Sequence, residues 1–145
     1  MTTKTHMSVG VAVAMAVIMT SSYNIVYIII ACMGAIAPDF DIKLGIKHRT
    51  WTHSILFLGL TTWLFSTINL EIAMFWAIGY ASHLLIDSFA KWGVPFFYPI
   101  IKKRIGFKIC STGKTADKVV GKLGKIIIIL CSIKILYDYL IIIFL

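Results

Sequence analysis

At 145 residues the chain has the length of one domain, and with 59% hydrophobic residues and a mean hydropathy of +0.91 it is more apolar than ordinary soluble proteins, where apolar residues make up about half. The composition predicts an integral membrane protein, and its charge of +8, from 14 Lys and Arg against 6 acidic residues, sets orientation and draws anionic lipid headgroups. No ribbon of interleaved aromatic and basic residues marks a nucleic-acid partner, and Cys32, Cys110 and Cys131, far apart and without a Cys-x-x-Cys, indicate neither a disulfide framework nor a thiolate zinc site.

Five apolar stretches can be marked along the single domain 1–145, at 7–20, 23–37, 54–70, 72–90 and 126–145. The expected fold is an all-α, integral membrane helical bundle of about five hydrophobic helices. At 1.5 Å per residue the last three stretches come near a hydrocarbon core of about 30 Å, whereas the first two form a short hairpin. Ser21-Ser22 before Tyr23-Asn24 make the hairpin turn. Pro38 ends the second helix, because its ring disfavours helical geometry at Ala37 and it lacks an N–H, and Asp39 and Asp41 follow in a non-helical turn. Thr52 or Ser54 can cap the third helix.

Lys and Arg are confined to three places: Lys4; Lys43, Lys47 and Arg49; and the long run from Lys91 to Lys125, all before or between helices, with Lys134 alone inside the last. The positive-inside rule then gives five crossings and a cytoplasmic N-terminus. On that topology His6, Asp39, Asp41, His48, His53, Asp87 and Asp117 all fall on the cytoplasmic side. His83 and Asp87, spaced i, i+4, project from one helix face, with His83 roughly 10 Å below the helix end. An ionisable group at such depth costs about 2.5–3.5 kcal/mol on insertion scales, so it needs a partner. Imidazoles and carboxylates gathered at one side of a bundle point to a metal.

Plainer roles compete at several positions. Any one histidine can serve as an interhelical hydrogen-bonding group, Asp87 can pair with Lys91 four residues on, and Lys134 with Asp138 reads as a self-neutralising i, i+4 pair. Gly113-Lys114-Thr115 is not a phosphate-binding loop, because Lys108 stands where a glycine is required. The aromatic run Phe96-Phe97-Tyr98 followed by Lys102, Lys103 and Arg104 suits a headgroup interface, either as an anchor or as a lip that guides a lipid substrate.

Thr5-His6, the Pro-Asp-x-Asp of 38–41, the His-Arg-x-x-Thr-His-Ser of 48–54, the His-x-x-x-Asp of 83–87 and the Gly-Val-x-x-x-x-Pro of 93–99 together resemble one bacterial family. It is that of the membrane-bound, predicted metal-dependent hydrolases of the LexA-regulated inner-membrane (YdjM-like) type, distantly similar to zinc-dependent phospholipase C. The resemblance implies a bacterial inner-membrane location, one or two divalent ions, zinc first, and hydrolysis of a phosphoester in an anionic phospholipid or lipid phosphate. The family has a glutamate after a Thr-Gly-Ser where this chain has Asp117 after Thr112-Gly113-Lys114.

Zinc takes imidazole and carboxylate ligands at about 2.0–2.2 Å and keeps one position for water. His83, Asp87, His53 and Asp39 are the expected core ligands, with His6, His48 and Asp41 next and Asp117 a further candidate. Asp41, or Asp39 if it is not a ligand, is the general base, and Arg49, with Lys102, Lys103 and Arg104, holds the substrate phosphate. A metal carrier, a non-catalytic metal-binding protein and a stress-response membrane adaptor are the alternatives.

Overall fold

Small residues decide how the helices meet. The computed structural model describes residues 1–21, 23–45 and 48–144, so Ser22 of the expected first turn, Lys47 and Leu145 lie outside it. Its helices are α1 (Thr3–Met19), α2 (Tyr27–Ile36), α3 (Phe40–Lys43), α4 (Ile55–Ser66), α5 (Leu70–Ser88) and α6 (Thr115–Phe144). Two 3₁₀ turns, Ala37–Asp39 and Trp51–His53, flank the loop after α3. Among the described residues there are two isolated β-bridges and no strand, so the chain is all-α as expected.

Helix α2 lies against α5 with almost no side chain between them. A Cβ on Gly79 would come within 1.9 Å of the Ala31 carbonyl, and one on Gly34 within 2.5 Å of the Trp76 carbonyl. Ala31 and Ala35 are fully buried in the same seam. Close backbone approach through small residues is the packing device of helices with few polar side chains. Helices α1 and α6 run side by side in the same direction, Thr5 against Gly121 and Ser8 against Gly124. Apolar packing is confined to three clusters, one of them around Ala14, Ile18, Ala31 and Phe75 and another around Tyr80, Leu84 and Val94.

Three expectations are corrected. First, among the described residues no helix is long and apolar enough to cross a membrane. Helices α2 and α4 have 10 and 12 residues, spanning about 15 and 18 Å, and α5 carries Glu71, His83 and Asp87 within its 19. The five crossings are therefore not met. Second, α6 starts at Thr115, eleven residues ahead of its apolar stretch, because Asp117, Gly121 and Gly124 bury one face of its lysine-rich start against α1. Third, Asp39 and Asp41 do not sit in an open turn. α2 does end before Pro38, but the chain continues through the 3₁₀ turn into α3, with Asp41 in its first turn. Ser54, not Thr52, caps α4, its hydroxyl accepting from the Phe57 N–H at 3.2 Å.

Between α5 and α6 the chain folds back on itself without a helix. Val94 and Ile105 exchange backbone hydrogen bonds of 2.9 Å each, and Phe107 N–H donates to the Ser88 carbonyl at 2.8 Å. The Phe96 carbonyl accepts from Ile55 N–H at 2.9 Å, which ties this segment to the start of α4.

Candidate metal centre

Histidine 83 is held by the α2–α5 seam. With no side chain at Gly79, one turn before it, α5 comes close enough to α2 for His83 Nδ1 to meet the Ala35 carbonyl at 2.7 Å. A carbonyl can only accept, so the proton is on Nδ1 and the Nε2 lone pair points inward. His53 is fixed in the same way from the other side. Thr52 gives its hydroxyl hydrogen to Asp41 at 2.9 Å, leaving its oxygen to accept from His53 Nδ1 at 3.0 Å. In the neutral ring the Nε2 of His53 is then also unprotonated.

These two lone pairs face each other. The Nε2 atoms are 3.3 Å apart, and Asp39 Oδ1 lies 3.7 Å from that of His53 and 3.6 Å from that of His83. A tetrahedral site with bonds of about 2.0–2.2 Å has ligand-to-ligand edges of about 3.3–3.6 Å, close to these three separations. Both rings are fully buried, and two bare acceptors at this separation repel unless a proton or a metal cation lies between them. The donor set and spacing fit a divalent ion.

A second group adjoins the first. His6 of α1 stacks on His83 with ring centroids 3.7 Å apart, and its Nε2 is 3.3 Å from Asp87 Oδ1. Buried His6 Nδ1 has no hydrogen-bond partner, and Nε2 has only its ionic approach to Asp87, an arrangement that costs free energy and that a ligand would relieve. The other Asp87 oxygen lies 3.9 Å from His53 Nε2. His6, His83 and Asp87 lie close enough together to hold an ion, as do Asp39, His48 and His53.

Asp41 is the organiser. It is fully buried and accepts from His48 Nδ1 at 2.9 Å, from Thr52 and from the Arg49 N–H at 3.2 Å, with His53 Nδ1 3.5 Å away. Burial would raise its pKa, but the hydrogen bonds from His53, His48 and Thr52 hold it well below the usual carboxylate range. Asp39 is likewise kept ionised against burial by His53 and by the neighbouring His83 and His6. Burial pushes His53 down, but the hydrogen bonds to Asp39 and Asp41 carry it above the ordinary imidazole value.

Arg49 has positive φ, 61°, an uncommon conformation for a non-glycine residue. The turn aims its side chain inward, where one guanidinium nitrogen is 2.7 Å from Asp87 Oδ2 and another donates to the Gly93 carbonyl at 3.1 Å. The Met1 amino group is on the other Asp87 oxygen. Asp87 therefore pairs with Arg49 and not with Lys91.

The structure brings together His6, Asp39, His48, His53, His83 and Asp87, with Asp41 and Arg49 behind them. Arg49 and Asp41 are occupied by protein partners, so neither is free to meet a substrate or a water. Asp117 lies outside both groups. It accepts from the Thr5 hydroxyl at 2.6 Å, from Gly113 N–H at 2.7 Å and from Thr2 N–H at 3.0 Å, tying the start of α1 to the start of α6. Lys102, Lys103 and Arg104 are exposed on the irregular segment. The expected Lys134–Asp138 pair is present at 2.8 Å. Sequence reasoning missed Thr52, whose role shows only once His53 and Asp41 are adjacent, and Lys43, which stands beside Asp39 in a cavity of about 210 Å³ also bordered by Thr3, Ile36 and Phe40. Asp39, at 16% side-chain exposure, and the half-exposed His48 are the polar groups of the site that reach the surface.

A family model for the YdjM inner membrane protein matches residues 1–143, nearly the whole chain. The chain belongs to the YdjM inner membrane protein family. The match carries the YdjM-like part of the resemblance and not its extension to zinc-dependent phospholipase C. Among curated proteins, the chain is similar to the "Uncharacterized protein YvsG" of Bacillus subtilis (strain 168), 29% identical over 140 residues, covering 83% of this chain and 87% of the relative. No solved structure matches the YdjM-family chain.

Proposed function

We propose that this YdjM-family protein is a membrane-associated, metal-dependent hydrolase of phosphoesters in lipid or at the lipid surface. The observation that supports it best is the triangle of His53 Nε2, His83 Nε2 and Asp39 Oδ1, with edges of 3.3, 3.6 and 3.7 Å. A divalent ion held there, zinc first, with a second between His6 and Asp87, would polarise a phosphoryl oxygen and acidify a water.

The protein's own groups then have separate tasks. Ala35 and Thr52 fix the imidazole tautomers, and Asp41 orients His48 and His53. Arg49 holds Asp87. Asp39 borders the cavity, and the oxygen that it does not give to the triangle would take a proton from an entering water, the general-base role for which Asp41, held by His48, Thr52 and Arg49, is not free. Lys43 in the same cavity offers a cation to a substrate anion.

Association with lipid is supported by the surface. α4 has no buried residue, and Ile55, Leu56, Leu60, Trp63 and Leu64 are exposed along it, as are Ile126, Ile129, Leu130 and Ile133 on α6. Apolar patches of this extent are not left to water. Basic residues, Lys4 and those from Lys91 to Lys125, flank the site in sequence and would draw the anionic headgroups of a cytoplasmic leaflet.

The test is metal content by mass spectrometry of the detergent-purified protein beside His53→Ala and His83→Ala, followed by hydrolysis assays on lipid phosphates. About one or two zinc or manganese ions per chain, lost in both variants together with turnover, is the expected result. Negligible metal in the parent protein after reconstitution would overturn the proposal.

A further inference from the structure

The seam between α1 and α6 carries a second polar feature, set apart from the histidines. Lys4 and Ser8 of α1 face Lys118, Lys122 and Lys125 of α6 around a cleft of about 240 Å³. All four lysines are exposed, and among the described residues none forms an ion pair. The nearest carboxylate in sequence, Asp117, forms no ion pair with them; its oxygens accept from Thr5, Thr2 and Gly113. Four cations around one cleft repel one another unless an anion sits among them.

The same side of the seam changes character further along. Lys118, Lys122 and Lys125 are followed at the same three- and four-residue spacing by Ile129, Ser132 and Leu136, which puts all six on one stripe of α6. There Met15 of α1, Ile25, Ile135, Leu136 and Tyr139 surround a nearly apolar groove of about 330 Å³. Because the two helices run in parallel, the basic cleft and the apolar groove lie one after the other along the same side of the seam, as the two parts of a furrow. From Ser8 to Met15 the advance is about 10 Å at the helical rise.

We infer that this furrow binds one anionic phospholipid, its phosphate among Lys4, Lys118, Lys122 and Lys125 and an acyl chain along Met15, Leu136 and Tyr139. The order of charge and apolar surface matches an amphiphile, and membership of an inner-membrane family supplies the lipid surface. The lysines that the sequence offers first for this role, Lys102 and Lys103 with Arg104, lie on an irregular segment.

The test is independent of metal and of turnover. Full-length protein in neutral detergent is titrated with dioleoyl phosphatidylglycerol, and separately with dioleoyl phosphatidylcholine and with inorganic phosphate, and bound lipid is counted by native mass spectrometry. The expected result is one retained phosphatidylglycerol whose affinity falls by about tenfold or more in the triple variant K118Q/K122Q/K125Q and little in K102Q/K103Q/R104Q, which removes the same charge elsewhere. Unchanged binding in the first triple, equal loss in both, or phosphate alone binding as tightly would each overturn the inference. A photoactivatable phosphatidylglycerol read on the unmodified protein gives an answer that does not depend on variant folding. Crosslinks are expected at Met15 and between residues 132 and 139, and labelling confined to α4 would refute the site.

Discussion

Asp41→Ala separates two roles that look alike in an activity assay. The substitution removes the acceptor of His48 Nδ1 at 2.9 Å, Thr52 at 2.9 Å and Arg49 N–H at 3.2 Å, and the carboxylate facing His53 Nδ1. All of these lie on the outer side of the imidazoles, so every nitrogen that faces the triangle survives. Loss of one outer partner of a metal-binding histidine costs about 10–100-fold in metal affinity. Asp41 holds two such rings, so the upper end is expected, about 100-fold or some 2.7 kcal/mol. Asp41→Asn keeps one acceptor oxygen and should lose only about tenfold. His83→Ala, which deletes a ligand outright, should leave no measurable site. The assay is competitive titration of the purified protein with zinc against a chromophoric chelator. If Asp41→Ala binds zinc within about twofold of the parent while turnover disappears, the orienting role is refuted and Asp41 is the base after all.

Gly79→Ala would place a Cβ 1.9 Å from the Ala31 carbonyl, so α5 must move off α2. A loss of about 1–3 kcal/mol in thermal unfolding is expected, with zinc affinity falling as His83 leaves Ala35. Asp117→Ala removes the acceptor of three donors and should cost about 1–3 kcal/mol of stability, read as a lower Tm in detergent, while zinc stoichiometry at saturation stays unchanged. Metal binding should also depend on pH in a definite direction. The folded pKa of His53 is raised, so the ring keeps its proton to higher pH than an ordinary histidine, and protons compete with metal from above about 6.5 downward. Zinc affinity measured from pH 8 to 5.5 should fall throughout that range, and in His53→Ala the remaining affinity should lose the upper part of the dependence.

The cluster of imidazoles and carboxylates was legible because its residues are out of place in such a chain. An apolar sequence of this kind has few reasons to carry His83 and Asp87 four residues apart in one helix, or His48 and His53 around Arg49. What the sequence hid were groups whose meaning is relational. Asp41 and Asp39 differ by two positions and look equivalent, yet one faces the backs of the imidazoles and the other faces their lone pairs. Arg49 reads as a phosphate clamp until its φ of 61° turns it onto Asp87. Asp117 looks like one more carboxylate at the same end, but it serves the junction of α1 and α6. The early start of α6 had a signal that went unused: Asp117, Gly121, Gly124 and Cys131 recur at helical spacing through the lysine-rich segment, and all four are buried.

Charge balance gives an argument for the valence of the ion. Asp39, Asp41 and Asp87 are three carboxylates in one buried or half-buried cluster, and the cations that touch them there are Arg49 and the Met1 amino group. With neutral imidazoles the cluster retains one negative charge, and if the amino group is displaced from Asp87 it retains two. Protonating His53 can satisfy the first case, and its raised pKa is the sign of that tendency. It cannot serve both the His83 lone pair and the His6 nitrogens, which lie on the other face of the His83 ring. A divalent ion answers the charge and one set of lone pairs together, and a second answers His6 and Asp87. Arg49 is what makes two ions tolerable or not: its charge already occupies Asp87 Oδ2 at 2.7 Å. Arg49→Gln, which keeps a donor for Gly93 but removes the charge, should therefore strengthen the second, His6–Asp87 site relative to the first, seen as a rise from about one toward two zinc ions per chain at a buffered free zinc level that fills only one site in the parent. A stoichiometry that stays the same or falls would place Arg49 as a structural support alone and leave the His53–His83–Asp39 triangle as a single-ion site.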